Sequence, residues 1–325
     1  MPKLKGEVAK RTLGIVISDR EIIVVEGKRS GKKFYLLKAA RELIGDKGIV
    51  ENGRIVSESA CILKLRELID QIKPEAVFAS VNIPANLVLL KTIPLDPDII
   101  ERFPDWMEWE KEKHSVDASI KSELSYLPIG AKTSDGELYL MASVRKDIII
   151  ERKRVIEGLG LTLIAADPDP VAAYNGFIAS CREDDESNYL FIDISLPFYT
   201  FFATFNGKFV YGGTKVTSVD YHGIERGNPP QVLFDSLARE IHQSALEFFA
   251  PYGDFPQNAT GIILIGYFAP SETLKNTLGN FFLPPILNTI PYDKKRLKFK
   301  VGKDFGNVWG AYIKGCGLAL RSINE

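Results

Sequence analysis

Leu13-Gly14-Ile15-Val16-Ile17-Ser18-Asp19-Arg20-Glu21-Ile22-Ile23-Val24-Val25-Glu26 is two β-branched runs joined at a polar turn. Val and Ile favour extended backbone because a branched Cβ packs well on a pleated surface. The stretch therefore predicts two strands, Thr12 to Ser18 and Glu21 to Val25, around Asp19-Arg20. Gly31 precedes a third run, Phe34 to Leu37, and three sequential strands with tight turns predict an antiparallel meander. The pattern returns in the second half. Tyr189 to Ile194 and Phe198 to Phe205 are apolar strands, Asn206-Gly207 is a strong two-residue hairpin turn, and Phe209 to Thr214 completes the set. A three-strand opening at residue 12 and again at residue 189 points to a duplicated unit.

The first meander leads into an α/β crossover. Ser57 can cap a helix carrying Ile62, Leu65, Ile69 and Ile72 at spacings of three and four, and Pro74 stops it. Ala76 to Ile83 is then a short apolar strand. Residues 77 to 165 read as a self-contained α+β unit. In it, Asn86 to Ile93 is a strand and Pro97 to Lys113 a charged helix interrupted at Pro104. Lys121 to Leu127 and Glu137 to Val144 pair around Ser134-Asp135-Gly136. Lys146 to Leu159 is a helix ended by Gly160, and Leu161 to Ala166 is a strand. A second domain starts near Ser187, after the acidic loop Glu183 to Glu186. Pro229-Pro230 introduces its long helix, with Phe234, Leu237, Ile241, Ala245 and Phe248 on one face. Ile262 to Ile265 is a buried strand ending at Gly266, and Gly310 to Leu320 is a glycine-spotted apolar helix.

Composition excludes several function classes. The chain has 325 residues, 45% hydrophobic and 26% charged, with a formal net charge of -1. No bulk field draws it to nucleic acid or to an anionic membrane. Cys61, Cys181 and Cys316 are far apart and odd in number, so no disulfide framework is expected, which fits a reducing compartment. Met1-Pro2-Lys3-Leu4-Lys5 is not followed by an apolar core, so no secretory leader is expected, and no apolar run reaches the length of a membrane span. His114, His222 and His242 share no metal-ligand spacing, and no P-loop, H-E-x-x-H or G-x-S-x-G occurs. Asp167 and Asp169 look like a paired carboxylate, but a helix-cap role is favoured for them.

Four stretches carry a family resemblance. They are Leu13 to Glu26; Val144-Arg145-Lys146-Asp147 through Gly160-Leu161 to Asp167-Pro168-Asp169-Pro170-Val171-Ala172; Asp193-Ile194-Ser195 to Gly207 with Gly212-Gly213; and Gly317-Leu318-Ala319-Leu320-Arg321. In this order and spacing the sequence resembles the type IV pilus assembly protein PilM family, relatives of the division protein FtsA. The resemblance implies an actin-like ATPase fold with two ribonuclease-H-like domains facing a cleft. The first would be residues 1–76 and 166–186, with 310–325 packing back on it, and the second 187–309. Residues 77–165 would be the inserted FtsA/PilM-type α+β subdomain.

The same resemblance marks where nucleotide chemistry has been lost. The first phosphate hairpin needs a carboxylate for the metal and glycine for close backbone approach. Here the family's aspartate aligns with Val16, its glycine with Ser18 and its lysine with Ile23. Asp19 and Glu21 would add negative charge where phosphates should sit, at a cost of several kcal/mol by order of magnitude. In the second hairpin Asp193 remains, but Ser195, Leu196, Pro197, Phe198 and Tyr199 replace small residues, and only Thr200 stays polar. The adenosine motif Gly-Gly-Gly-Ala reads Gly266-Tyr267-Phe268-Ala269. Ser18, Asp19, Asp193, Ser195, Thr200, Gly266, Tyr267 and Phe268 are thus a vestigial nucleotide site. No cofactor is expected, at most weak ATP and Mg binding. Phe198, Tyr199, Tyr267 and Phe268 are expected to fill the cleft.

By the resemblance, the role is that of a cytoplasmic scaffold of a type IV pilus or related secretion platform, peripheral to the inner membrane. Its partner would be the N-terminal tail of a bitopic PilN-like protein, bound in a groove beside the inserted subdomain, with self-association left open. Large rings supply much contact area at low entropy cost. Phe103, Trp106, Trp109, Tyr126 and Leu127 are therefore the groove candidates. The alternative is an ATP-binding or ATP-hydrolysing actin-like protein, pilus-associated or FtsA-like, which intact glycine hairpins would favour. An FtsA-type protein would add a C-terminal amphipathic helix, and the secretion relative GspL a membrane span.

Overall fold

A computed structural model describes residues 11–44, 48–96, 98–99, 102, 105–106, 109, 121–133, 136–181, 187–220, 231–268, 271–287, 290–301 and 309–321. The opening runs form β1 (Arg11–Ile17), β2 (Glu21–Ser30) and β3 (Lys33–Leu43), an antiparallel meander with Val16 opposite Ile23. A short hairpin, β4 (Val50–Glu51) and β5 (Arg54–Ile55), leads into α1 (Glu58–Ile72). The Ser57 side chain caps α1 by accepting from the Ala60 amide at 3.4 Å. β6 (Phe78–Ile83) returns parallel to β1. After a 3-10 turn come β7 (Val88–Leu95), β8 (Ser122–Thr133) and β9 (Gly136–Arg145), a separate three-stranded sheet in the order β7-β9-β8. Then follow α2 (Lys146–Gly158), β10 (Thr162–Pro168) and α3 (Asp169–Ser180).

The second half repeats the plan. β11 (Tyr189–Ser195), β12 (Phe198–Phe205) and β13 (Lys208–Val216) form a meander. Its second turn uses Asn206 and Gly207 with φ of 51° and 70°, as a two-residue hairpin of primed type demands. α4 (Gln231–Phe249) crosses over to β14 (Gly261–Ile265), parallel to β11. α5 (Glu272–Gly279), β15 (Leu297–Phe299) and α6 (Ile313–Ala319) follow. The sheets run β10-β6-β1-β2-β3-β15 and β13-β12-β11-β14. A parallel bridge between Ile262 and Ile286 sits where β10 sits in the first sheet. Both halves therefore share one strand order, which makes the duplication a matter of topology.

Strand periodicity sorts the core into layers. Leu13, Ile15 and Ile17 pack outward with Cys61 and Leu65 of α1 and Val155 of α2. Val16, Ile23 and Val25 face inward with Ala172 and Phe177 of α3 and Ile313 of α6. Phe191, Phe202 and Ile263 close this inner layer from the second sheet. Leu190, Ile192 and Ile194 pack outward with Leu237 and Ile241 of α4. The helices α3 and α6 are thus sandwiched between the two sheets, and their glycines let backbones touch. A Cβ on Gly317 would lie 1.8 Å from the Ala172 carbonyl oxygen, and one on Gly14 would lie 1.9 Å from that of Gly315. That contact is the reason the closing helix is spotted with glycine.

Two expected boundaries are corrected. The unit expected at 77–165 is narrower, because β6, α2 and β10 belong to the first domain. β6 is paired on both sides within the large sheet, and the fully buried Arg152 of α2 donates to the carbonyls of Asn82 and Gly53 at 2.7 and 2.8 Å. The inserted part is the β7-β9-β8 sheet. The second domain, expected to run to 309, loses β15, which pairs parallel with β3. β6 and β10 were legible as short apolar strands, but nothing local says which sheet a strand joins, and β15 is not among the strands read from the sequence. The expected helix over Pro97 to Lys113 lies mostly outside the described residues.

Candidate functional site

Between the domains, the β1–β2 turn and the β11–β12 turn face each other across a cleft. The free space there is about 30 Å³. That is room for a water or two, whereas small-molecule sites offer roughly 300–1,000 Å³.

The cleft is closed by charge as well as by size. Lys314 of α6 is 5% exposed and places its Nζ 2.6 Å from Asp193 Oδ2 and 3.4 Å from Asp169 Oδ2. Burial alone would favour loss of its proton, but Asp169 and Asp193 outweigh it and hold the ammonium charged, above its ordinary range. The Asp169 carboxyl is pushed up by burial, against the pull of Lys314. It also accepts from Asn82 Nδ2 at 2.9 Å. Asn82 is tied to β1 in turn, accepting from the Ile17 amide at 2.8 Å and donating to the Ile17 carbonyl at 3.2 Å. A fixed internal cation therefore sits between carboxylates from the two domains. A dissociable cation would need those same oxygens.

The residues expected to form a vestigial nucleotide site take up places around this centre. Ser18 is committed to its own turn, its Oγ donating to the Glu21 carbonyl at 3.0 Å and accepting from the Glu21 amide at 3.2 Å. Asp19 turns towards the β4–β5 hairpin and accepts from the Gly53 amide at 2.8 Å; burial still raises its pKa. Ser195 donates to Asp193 Oδ1 at 3.0 Å. Thr200 pairs with Thr214, hydroxyl to hydroxyl, at 2.9 Å. Gly266 has φ of 86°, and a Cβ there would fall 2.4 Å from Asp193 Oδ1, so only glycine fits. Tyr267 stands edge-on to Phe268 and receives the Arg41 guanidinium at 6.0 Å. Arg41 also pairs with the buried Glu21 at 2.5 Å.

Of the four rings expected to fill the cleft, only Phe198 lines it. Tyr199 and Phe268 are corrections. One pleat away from Phe198, Tyr199 points outward and bonds Glu240 and Ser244 of α4 at 2.8 and 3.0 Å. Phe268 belongs to the outer core of the second domain, and Tyr267 packs on that core. Ala269 lies outside the described residues. The expected helix cap is a further correction. The N-cap of α3 is Pro168, with no side-chain cap bond. Asp167 instead takes a bidentate pair from Arg321 at 2.7 Å on each oxygen, and Asp169 serves the cleft. His242 meets Phe282 edge-on at 4.9 Å and bonds Gln257 at 2.9 Å, whereas His114 and His222 lie outside the described residues.

Sequence reading missed Lys314 and Asn82. The signal for Lys314 was present, since it is the lone charged residue from Gly310 to Leu320. Asn82 gave none, as a polar residue in a buried strand has many ordinary uses.

A second depression lies beside the inserted sheet. Leu127, Ile129 and Leu140 face Val171 and Tyr174 of α3 and Phe209 of β13 around about 110 Å³ of space. Leu127 is 52% exposed. The Lys208 ammonium donates to the Gly130 carbonyl and ties this sheet to the second domain. The sheet divides the expected groove residues. Tyr126 pairs with Met141, and Leu127 with Leu140, so the two neighbours lie on opposite faces. Trp106 packs on Tyr126 with ring centres 5.0 Å apart, on the face away from the depression. Trp109 is 54% exposed, and Phe103 lies outside the described residues.

No protein-family model and no curated protein matches the sequence. Solved structures do match. The chain superposes on the protein of the PilM-PilN type IV pilus biogenesis complex with a TM-score of 0.74 and 17% identity, over 96% of this chain and 98% of that one. The ethanolamine utilization protein EutJ from Carboxydothermus hydrogenoformans gives 0.51 and 12%, over 98% and 91%. With the duplicated strand order, these likenesses establish the actin-like ATPase fold, in the form seen in the PilM structure.

Proposed function

We propose that this chain is a scaffold of a type IV pilus or related secretion platform, binding the N-terminal tail of a bitopic PilN-like membrane protein without turning over ATP. The observation that carries the reading is the full-length likeness to the protein solved in the PilM-PilN complex. Two features of the chain support it. The apolar depression at Leu127 offers an open seat for such a tail. The space between the β1–β2 and β11–β12 turns, about 30 Å³ beside the Lys314 ion pair, is small for a nucleotide. Among the described residues no helix is long and apolar enough to cross a membrane.

Calorimetric titration tests both halves. Synthetic N-terminal peptides of small bitopic proteins encoded beside this gene are expected to bind with micromolar affinity. Absence of binding by every such peptide would remove the scaffold reading. Mg-ATP is expected to give neither saturable heat in the cleft nor phosphate release. Micromolar Mg-ATP affinity that survives charge removal elsewhere on the surface would contradict the closed cleft.

A further inference from the structure

The cavity beneath the β2–β3 turn is far roomier than the cleft, about 400 Å³ against about 30 Å³. Five cationic side chains line it: Arg29, Lys32 and Lys33 from the turn, Arg296 from the segment entering β15, and Arg321 just past α6. Among the described residues no Asp or Glu lines it, and Phe34, Ile178 and Leu320 give it an apolar floor. Part of this charge is fixed in place. Arg321 is oriented by its bidentate pair with Asp167. The backbone of Arg296 is pinned on both sides, its carbonyl accepting from the Phe34 amide at 2.8 Å and its amide donating to the Asp293 carbonyl at 2.9 Å. Its Nε is buried, and no group among the described residues accepts from it. Buried donors are normally satisfied, so this one is available to an acceptor that enters the cavity.

We propose that this cavity binds the phosphate of an organic phosphate ester, its oxygens at Arg296 and Lys33 and its apolar portion over Phe34 and Leu320. Guanidinium forks match phosphate oxygens two at a time, and a doubly charged group meets several cations better than a single carboxylate. The volume lies in the range of small-molecule sites. The site is separate from the tail groove, although Asn175 of α3 borders both. It goes beyond the scaffold reading and can fail without it.

The test uses inorganic pyrophosphate on the full chain, by calorimetry at low and physiological salt, since screening weakens exposed contacts. Saturable sub-millimolar binding is expected, weakened at least tenfold in Arg296→Gln and also in Lys33→Gln. The second variant changes an exposed side chain, so it keeps the test valid if the first fails to fold. Flotation with phosphatidylglycerol vesicles, absent with phosphatidylcholine, lost in the same variants and competed by pyrophosphate, would identify a lipid headgroup as the source. Pyrophosphate binding without flotation would identify a soluble ester. No saturation in the millimolar range, or equal affinity in wild type and both variants, would overturn the site.

Discussion

Lys314→Met is expected to cost about 3–5 kcal/mol of stability, the scale seen when one partner of a buried ion pair is removed. The ammonium lies 2.6 Å from Asp193 and 3.4 Å from Asp169, and all three side chains are buried. Methionine keeps most of the length and apolar volume of lysine, so the loss reports charge rather than a cavity. What it leaves is two carboxylates facing each other across a nearly dry cleft. They come from different domains, so their repulsion also pushes the domains apart. A triple variant, Lys314→Met with Asp169→Asn and Asp193→Asn, should recover most of the loss, because a buried pair replaced on all sides by neutral groups is often close to neutral. Urea unfolding of the three proteins decides it. A single variant within about 1 kcal/mol of wild type, below the expected range, would mean that Lys314 is not the cleft's counter-ion.

The hairpins, the crossover and the duplication were legible because β-branched runs, Asn206-Gly207 and a capped amphipathic helix are local signals. The expectation of a degenerate nucleotide site also rested on local signals, the residues standing where the resemblance expects glycine. What closes the cleft was not local. The sequence pointed to rings, whereas the structure uses an ion pair between residues 121 positions apart, 314 and 193. Pleat parity decides the rest: Phe198 and Thr200 face the cleft, and Tyr199 between them faces α4. Parity is readable once the first core-facing residue is known, but the hairpin is apolar on both faces and hides it. The assignment of β6, β10 and β15 to one sheet rests on long-range pairing, for which a short apolar run holds no information.

Parity also moves the expected partner contact. Trp106 meets Tyr126 at a tilt on one face of the inserted sheet, and Leu127 opens on the other. Leu127→Asp is expected to weaken binding of the N-terminal tail at least a hundredfold, about 2.7 kcal/mol. The aspartate would face Ile129, Val171, Tyr174 and Phe209, none of which offers it a charge partner, so a docked tail would have to bury an unpaired carboxylate. Folding should be spared, because Leu127 is 52% exposed in the free protein and its replacement desolvates nothing there. Trp106→Ala is the control. It removes a larger ring from the opposite face, so it should lower the melting temperature while leaving tail affinity within about threefold, under 1 kcal/mol. The reverse outcome, tail binding lost with Trp106→Ala and kept with Leu127→Asp, would place the partner on the tryptophan face. Equal affinity in both variants would exclude the inserted sheet as the tail's seat.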